Sequence, residues 1–252
     1  MPNRSWTTEA LVLCLAECFS DNKNVTLLVP QQEACSLITA TIYGGARSKL
    51  RGLVAMYQTG QVWLYSNPVK NTHKLVDFTV QAHRLALRDN LVRMWCAAVC
   101  NEIAIKTKGT VDWKLVNAFL DGLCVSTPQA CKPALLRFLW RILTHAGLAP
   151  ALTACGQCGV PFTESPAAQS VFYNASDDSF CCKTCMQHDR TFALSGEAFH
   201  YLQAITYYPP AYSRNFALSA HAYGELKRCL FFLCKKMVGG NLNSIQTSRG
   251  IL

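Results

Sequence analysis

Four cysteines constrain this chain more than any other feature. Cys155-x-x-Cys158 and Cys182-x-x-Cys185 form two knuckles separated by 23 residues. Together they offer four soft thiolates, the complement of a closed tetrahedral Zn2+ site. Gly156 and Gly159 loosen the first knuckle, so its amides can turn toward the sulfurs. The stretch between the knuckles is polar and rich in Pro and Ser, with little core of its own, and a bound metal is what would staple it. Two other readings compete. Either pair can act as a redox dithiol, which requires an accessible thiolate of low pKa; the repeated spacing favours the metal. Cys181 also precedes Cys185, at x3 spacing, and competes with Cys182 for the fourth place; repetition of x2 favours Cys182. Four thiolates leave no open coordination position, so the expected zinc is single and structural rather than catalytic.

Fourteen cysteines in all invite a disulfide scaffold. Against that, 252 residues that are 50% hydrophobic form one or two domains with large cores, and no export signal is evident. Reduced thiols are therefore expected. Cys14, Cys35, Cys96, Cys100, Cys124, Cys131, Cys229 and Cys234 sit in apolar surroundings and read as small core hydrophobes. No apolar run approaches the roughly 20 residues needed to span a bilayer, and a cytoplasmic, nucleoid-associated protein is the expectation.

The first third reads as strands. Leu11–Leu15, Val25–Val29, Cys35–Tyr43, Gly52–Tyr57 and Gln61–Tyr65 are short and rich in β-branched and aromatic residues, with turn signals between them. Five such strands with no strong helix among them suggest an OB-type barrel over residues 1–80. From about His83 the apolar period becomes helical: Leu87, Leu91, Met94/Trp95, Ala98 and Glu102/Ile103. Further helices are expected from Asp112 to Val125, from Ala134 to His145 with Pro133 near the first turn, from Ser195, and from Ala220 to Val238. The fold class is therefore α+β: the five-stranded barrel, then a mostly helical domain over 81–252 carrying the four-cysteine zinc module at about 151–190.

The charge balance is +9, and residues 150–190, with two basic and four acidic side chains, are the one acidic island. A basic excess invites a polyanion. Arg47, Lys49 and Arg51 alternate after the Gly44-Gly45 turn; if extended, all three point to one face and can follow a phosphodiester backbone. The plainer alternative is a solvated edge strand protected against aggregation. Tyr43, Tyr57, Trp63 and Tyr65 are candidates for base stacking, though alternation must send some of them inward. Lys227, Arg228, Lys235 and Lys236 lie off the apolar stripe of the last long helix, as a second DNA-contacting patch or as an ordinary solvated face. Catalytic patterns are missing. There is no HExxH, GxGxxG or GxxxxGK[ST], and no histidine is followed by x-Glu as a zinc deaminase requires. No enzyme is expected.

Over nearly its whole length the chain resembles the RecO family of bacterial recombination mediators. The resemblance rests on Ala10–Leu13, Val25–Leu28, Gly45-Ala46-Arg47-Ser48-Lys49-Leu50-Arg51-Gly52 and the Arg88–Ile105 helix with Glu102. It continues through Phe138-Leu139 and Gly147–Pro150 into Cys155-Gly156-Gln157-Cys158-Gly159, the second knuckle, and Leu242-Asn243-Ser244. It implies an OB barrel, a helical bundle and an inserted zinc module. It also implies binding of single- and double-stranded DNA, annealing of complementary strands and partnership with RecR. Through RecR and the tail of single-stranded-DNA-binding protein, such a mediator helps load RecA, indirectly, onto gapped DNA. Two other functions stay open: a zinc-stabilised protein-interaction module without intrinsic DNA binding, and a thiol oxidoreductase using Cys155 and Cys158.

Overall fold

The computed structural model describes residues 4–18, 21–32, 34–45, 48–162, 170–186, 191–248 and 250–252. Its first strand, β1 (Ser5–Glu17), is long enough to serve two neighbours. The second half of β1 pairs with β2 (Lys23–Pro30), which pairs in turn with β3 (Cys35–Ile42). A short helix, α1 (Lys49–Leu53), precedes β4 (Thr59–Asn67) and β5 (Thr72–Ala82). The first half of β1 pairs with β4, from Ser5↔Tyr65 to Leu11↔Thr59. A register shift between Val12 and Cys14 lets one strand turn from one partner to the other. β5 pairs antiparallel with β4 and parallel with β3, closing the order β1-β2-β3-β5-β4. This is the expected OB-type barrel. Closure leaves no free edge, and alternate residues such as Val25, Leu27 and Val29, or Val62 and Leu64, fill the interior.

Two sequence expectations change here. Gly52–Tyr57 is not a strand. Val54 joins the barrel core, Leu50 packs against it, and the Tyr57 N–H donates to Val12 O at 2.8 Å, so the apolar run plugs one end of the barrel. The fifth strand is instead β5, whose exposed positions Lys74, Asp77 and Gln81 obscure its period. β4 also needs a residue without a side chain where it meets β5, because a Cβ on Gly60 would stand 2.1 Å from Thr79 O.

Helices α2 (Leu91–Lys106) and α3 (Trp113–Val125) follow, capped by Asn90 and Asp112. Leu11 and Leu13 of β1 are buried, and Asn101 of α2 donates to Leu13 O at 2.8 Å. Chain contacts gather the barrel, α2, α3 and the terminal segment into one compact unit, Met1–Pro128 with Leu242–Leu252.

The other unit is Gln129–Asn241. Its first helix, α4 (Pro128–His145), starts about a turn and a half before the expected Ala134 and contains Pro133. The proline forfeits only the bond to the Gln129 carbonyl, close to the helix start, and the buried stripe from Leu135 to Leu143 compensates. A small sheet follows, made of β6 (Val171–Asn174), β7 (Ser179–Cys181) and β8 (Thr191–Leu194) in the order β7-β6-β8. Then come α5 (Gly196–Tyr207), α6 (Pro210–Ser213) and α7 (Ala220–Met237). Phe180 of β7 meets Phe199 of α5 edge-on at 5.4 Å, and Tyr173 of β6 meets Phe232 of α7 at 6.1 Å. The two helices also cap each other. Glu225 of α7 accepts from Ser195, the N-cap of α5, and Glu197 of α5 accepts from Ser219, the N-cap of α7. In the first unit the last helix is α8 (Asn243–Thr247).

Candidate metal centre and nucleic-acid surfaces

The first knuckle is a tight hairpin. The Cys155 N–H donates to Val160 O and the Gly159 N–H to Cys155 O, both at 2.9 Å, with Ala154 bridged to Pro161. Gly159 takes a φ of +71°, which favours glycine. Gly156 docks the hairpin on β7: its N–H donates to Phe180 O at 2.9 Å, and a Cβ there would lie 2.4 Å from the Ser179 side chain. The second knuckle begins where β7 ends. A single 3-10 turn over Lys183–Cys185 brings Cys185 back toward Cys182, whose carbonyl accepts from the Cys185 N–H at 3.1 Å.

As a result the Sγ atoms of Cys155, Cys158, Cys182 and Cys185 all lie within 4.8 Å of one another, with 3.9 Å between Cys158 and Cys182. Tetrahedral thiolates about 2.3 Å from a zinc ion stand roughly 3.8 Å apart, so the donor set fits such a metal. The knuckle amides favour the anionic form. Burial opposes ionisation of Cys155, but N–H groups of Cys158, Cys182 and Gln157 outweigh it and bring the thiol down to about 6. The Cys185 N–H lowers Cys182 as well. Cys185 itself is pushed up to about 12 by hydrogen bonding to Cys158 and Cys182, because crowded thiolates hold a proton unless a cation replaces it. Cys181 stands outside this group. It is fully buried in β7, and burial raises its pKa. The choice between Cys181 and Cys182 thus falls to Cys182. The remaining cysteines carry no disulfide; Cys35, Cys96, Cys100, Cys131, Cys229 and Cys234 are buried, and Cys14 and Cys124 are half-buried.

The basic candidates are dispersed. Arg47 lies outside the described residues. Lys49 and Arg51 sit on α1, where residues two apart point about 200° from each other, not along one face of a strand. Lys49 is exposed, whereas Arg51 pairs with Glu17 at 3.1 Å and donates to Asp21 O. The helix turns Leu50 onto the barrel core, and that packing overrides the alternation. On α7, Arg228 and Lys235 are exposed and share one direction, seven residues apart; Lys227 and Lys236 flank them. Lys227 lies near the Tyr223 ring at 6.0 Å, and Lys236 pairs with Asp178 at 2.6 Å. Of the four aromatic candidates, Tyr57 is buried, whereas Tyr43 and Trp63 are exposed and Tyr65 is half-buried.

Other polar centres were not among the site candidates read from the sequence. Arg84 is nearly fully buried and bonds to Asp121 (2.7 Å), Tyr57 O (2.8 Å), Thr59 Oγ1 (2.7 Å) and Asn117 Oδ1 (2.9 Å), tying the barrel to α3. Glu102 of α2 accepts from the N–H groups of Asn243 and Ser244 (2.8 and 2.7 Å) and from the Ser244 hydroxyl (2.6 Å). Two stretches distant in sequence, each part of the family resemblance, meet here. In the second unit Arg137 and Arg141 lie one turn apart on α4. Burial first, then the like charges of Arg137 and Arg214, lower the Arg141 guanidinium's pKa. Among the described residues none of the three arginines forms a salt bridge.

Residues 88–246 match the family model described as Recombination protein O C terminal. The chain belongs to the RecO family. Among curated proteins, it is similar to the DNA repair protein RecO of Anaeromyxobacter sp. strain K and to that of Anaeromyxobacter dehalogenans strain 2CP-1. Each is 36% identical over 106 residues, covering 40% of this chain and 39% of the relative. The RecO of A. dehalogenans strain 2CP-C is 35% identical over the same length. The alignment thus spans about two fifths of these RecO relatives. The RecO family match runs from before α2 into α8, including both knuckles and the Glu102–Ser244 contact. Among the described residues, no helix is long and apolar enough to cross a membrane.

Proposed function

We propose that this protein is a non-enzymatic recombination mediator acting in DNA repair. It binds single- and double-stranded DNA, anneals complementary strands and, with RecR, helps load RecA onto gapped DNA coated by single-stranded-DNA-binding protein. The observation that carries this reading is the family match over residues 88–246. The OB-type barrel, an architecture used for oligonucleotides, and the net charge of +9 support it. A cytoplasmic, nucleoid-associated location follows from the role. One structural zinc held by Cys155, Cys158, Cys182 and Cys185 is the metal best suited to four thiolates. Arg141 faces the like charges of Arg137 and Arg214, and among the described residues none of the three forms a salt bridge, which favours an anionic ligand in the helical unit, such as a carboxylate-bearing tail.

Binding of a labelled oligonucleotide measured against salt tests the reading. Contact with about four to six phosphates gives a logarithmic slope of roughly −3 to −5. A salt-insensitive affinity, or none in dilute buffer while the fold is intact, would overturn it. The pairing of Arg51 with Glu17 and of Lys236 with Asp178 favours a second reading, the protein-interaction module. That reading expects tight partner binding and no retention of oligonucleotide at physiological salt.

A further inference from the structure

The barrel carries a surface distinct from α1 and α7. On β4, Val62 and Leu64 face the core, so Trp63 and Tyr65 face outward. Trp63 is 37% exposed, so part of its indole is open to solvent. Tyr65 lies in register with Lys74 of β5, and its hydroxyl accepts from Arg4 Nη1 at 3.4 Å. The Lys74 ammonium stands over the ring of Tyr43, 5.8 Å from its centre, and Tyr43 is half-exposed. Lys70 is exposed in the turn between β4 and β5, at the same end. Behind this face Trp6 donates to Ser66 Oγ at 2.8 Å, and Ser66 meets His73 Nδ1 at 2.9 Å, fixing the ends of β1, β4 and β5.

Rings alternate here with cations. Among the described residues Arg4, Lys70 and Lys74 form no salt bridge. The carboxylates Glu9 and Asp77 lie toward the other end of β4, in register with Gln61 and Trp63, so the cationic part is the Tyr65 end. Trp63 and Tyr65, two residues apart on a strand, project about 6.7 Å from each other. That is roughly twice the 3.4 Å rise of stacked bases in duplex DNA, and it suits a drawn-out strand whose bases have come apart.

We propose that the outer face of β1, β4 and β5 binds single-stranded nucleic acid, with Trp63, Tyr65 and Tyr43 stacking on bases and Arg4, Lys70 and Lys74 contacting phosphates. This inference rests on the reading of the protein as a DNA-binding mediator and assigns that activity a surface. It shares Lys70 of the β4–β5 turn and Tyr43 beside β3 with the region by which OB barrels ordinarily hold oligonucleotides, and adds to it the outward rings of β4.

Fluorescence anisotropy with labelled oligothymidylate and with a duplex of equal length tests it on the full chain. Trp63→Ala and Tyr65→Ala each weaken single-strand binding about tenfold and leave duplex binding within about twofold. Trp63→Phe, which keeps a ring, retains most of the affinity. Arg4→Ala with Lys74→Ala lowers the single-strand salt slope by about 1.4. Photo-crosslinking of iododeoxyuridine oligonucleotide to the unaltered protein labels Trp63 or Tyr65. If the unaltered protein binds single strands but the ring variants bind them equally well, or crosslinks form only elsewhere, the surface is wrong and the mediator reading survives. Equal losses on single strand and duplex also overturn the stacking face. If the unaltered protein binds no DNA, both fall.

Discussion

The closed barrel and the small β7-β6-β8 sheet are held by different means. In the barrel every strand has a partner on each side, and the interior is filled by apolar residues from Ala10 to Phe78. The second sheet has strands of three or four residues, with β7 and β8 as edges. It buries aromatic rings against α5 and α7, and its knuckles add four clustered sulfurs. The contrast teaches where stability resides: closure and apolar burial in one region, a metal-ready cluster in the other. Short strands without closure are marginal on their own, and cross-linking by a cation is one of the few remedies that need no extra chain.

The largest expected effect comes from breaking the second device. With the proposed zinc in place, Cys158→Ser or Cys182→Ser destabilises the module by several kcal/mol, since a structural zinc supplies folding free energy outright. Limited proteolysis then cuts between residues 150 and 190 while the barrel core stays protected; equal loss of both regions would erase the contrast. Next is Arg84→Met. It removes four hydrogen bonds from a buried guanidinium and leaves their acceptors short of partners, costing about 3 kcal/mol in chemical denaturation. Because Arg84 joins the barrel to α3, metal content is unchanged.

Glu102 sharpens the comparison through pH. Burial opposes its charge, but the Ser244 hydroxyl and the N–H groups of Ser244 and Asn243 overcome that, and with Lys106 they hold its carboxyl below the usual range. A folded pKa below the unfolded one gives stability that is present above the ordinary carboxylate value and is lost as pH falls through the folded value. Glu102→Gln therefore destabilises by about 1–3 kcal/mol at neutral pH, and the gap to the unaltered protein closes in acid. A pH-independent difference would contradict this. The smallest effect is at Lys236→Ala. Both partners of its pair with Asp178 are about half exposed, so thermal unfolding changes by at most about 1 kcal/mol, less in high salt.

Sequence made some of this plain and hid the rest for physical reasons. The knuckles were legible because thiolate chemistry fixes spacing, and Cys155, Cys158, Cys182 and Cys185 do converge. The helix from Ser195 was legible from its cap, which binds the Ala198 N–H. Gly52–Tyr57 misled because an end plug and a buried strand draw on the same apolar residues. β5 was hidden by its outward polar face, which resembles a loop when read without a partner strand. Arg84 gave no signal, since a buried guanidinium is defined by Tyr57, Thr59, Asn117 and Asp121, which lie up to 37 residues away. Lys49 and Arg51 showed the cost of assuming an extended chain: their facing depended on Leu50, which the barrel core claims.

The most direct test is the metal content of the full chain purified without added zinc, measured together with thiol reactivity. One zinc per chain is expected, with Cys155, Cys158, Cys182 and Cys185 unreactive until a chelator strips the ion. A folded, metal-free protein whose four thiols react at once would contradict the claim that a cation holds the second sheet together.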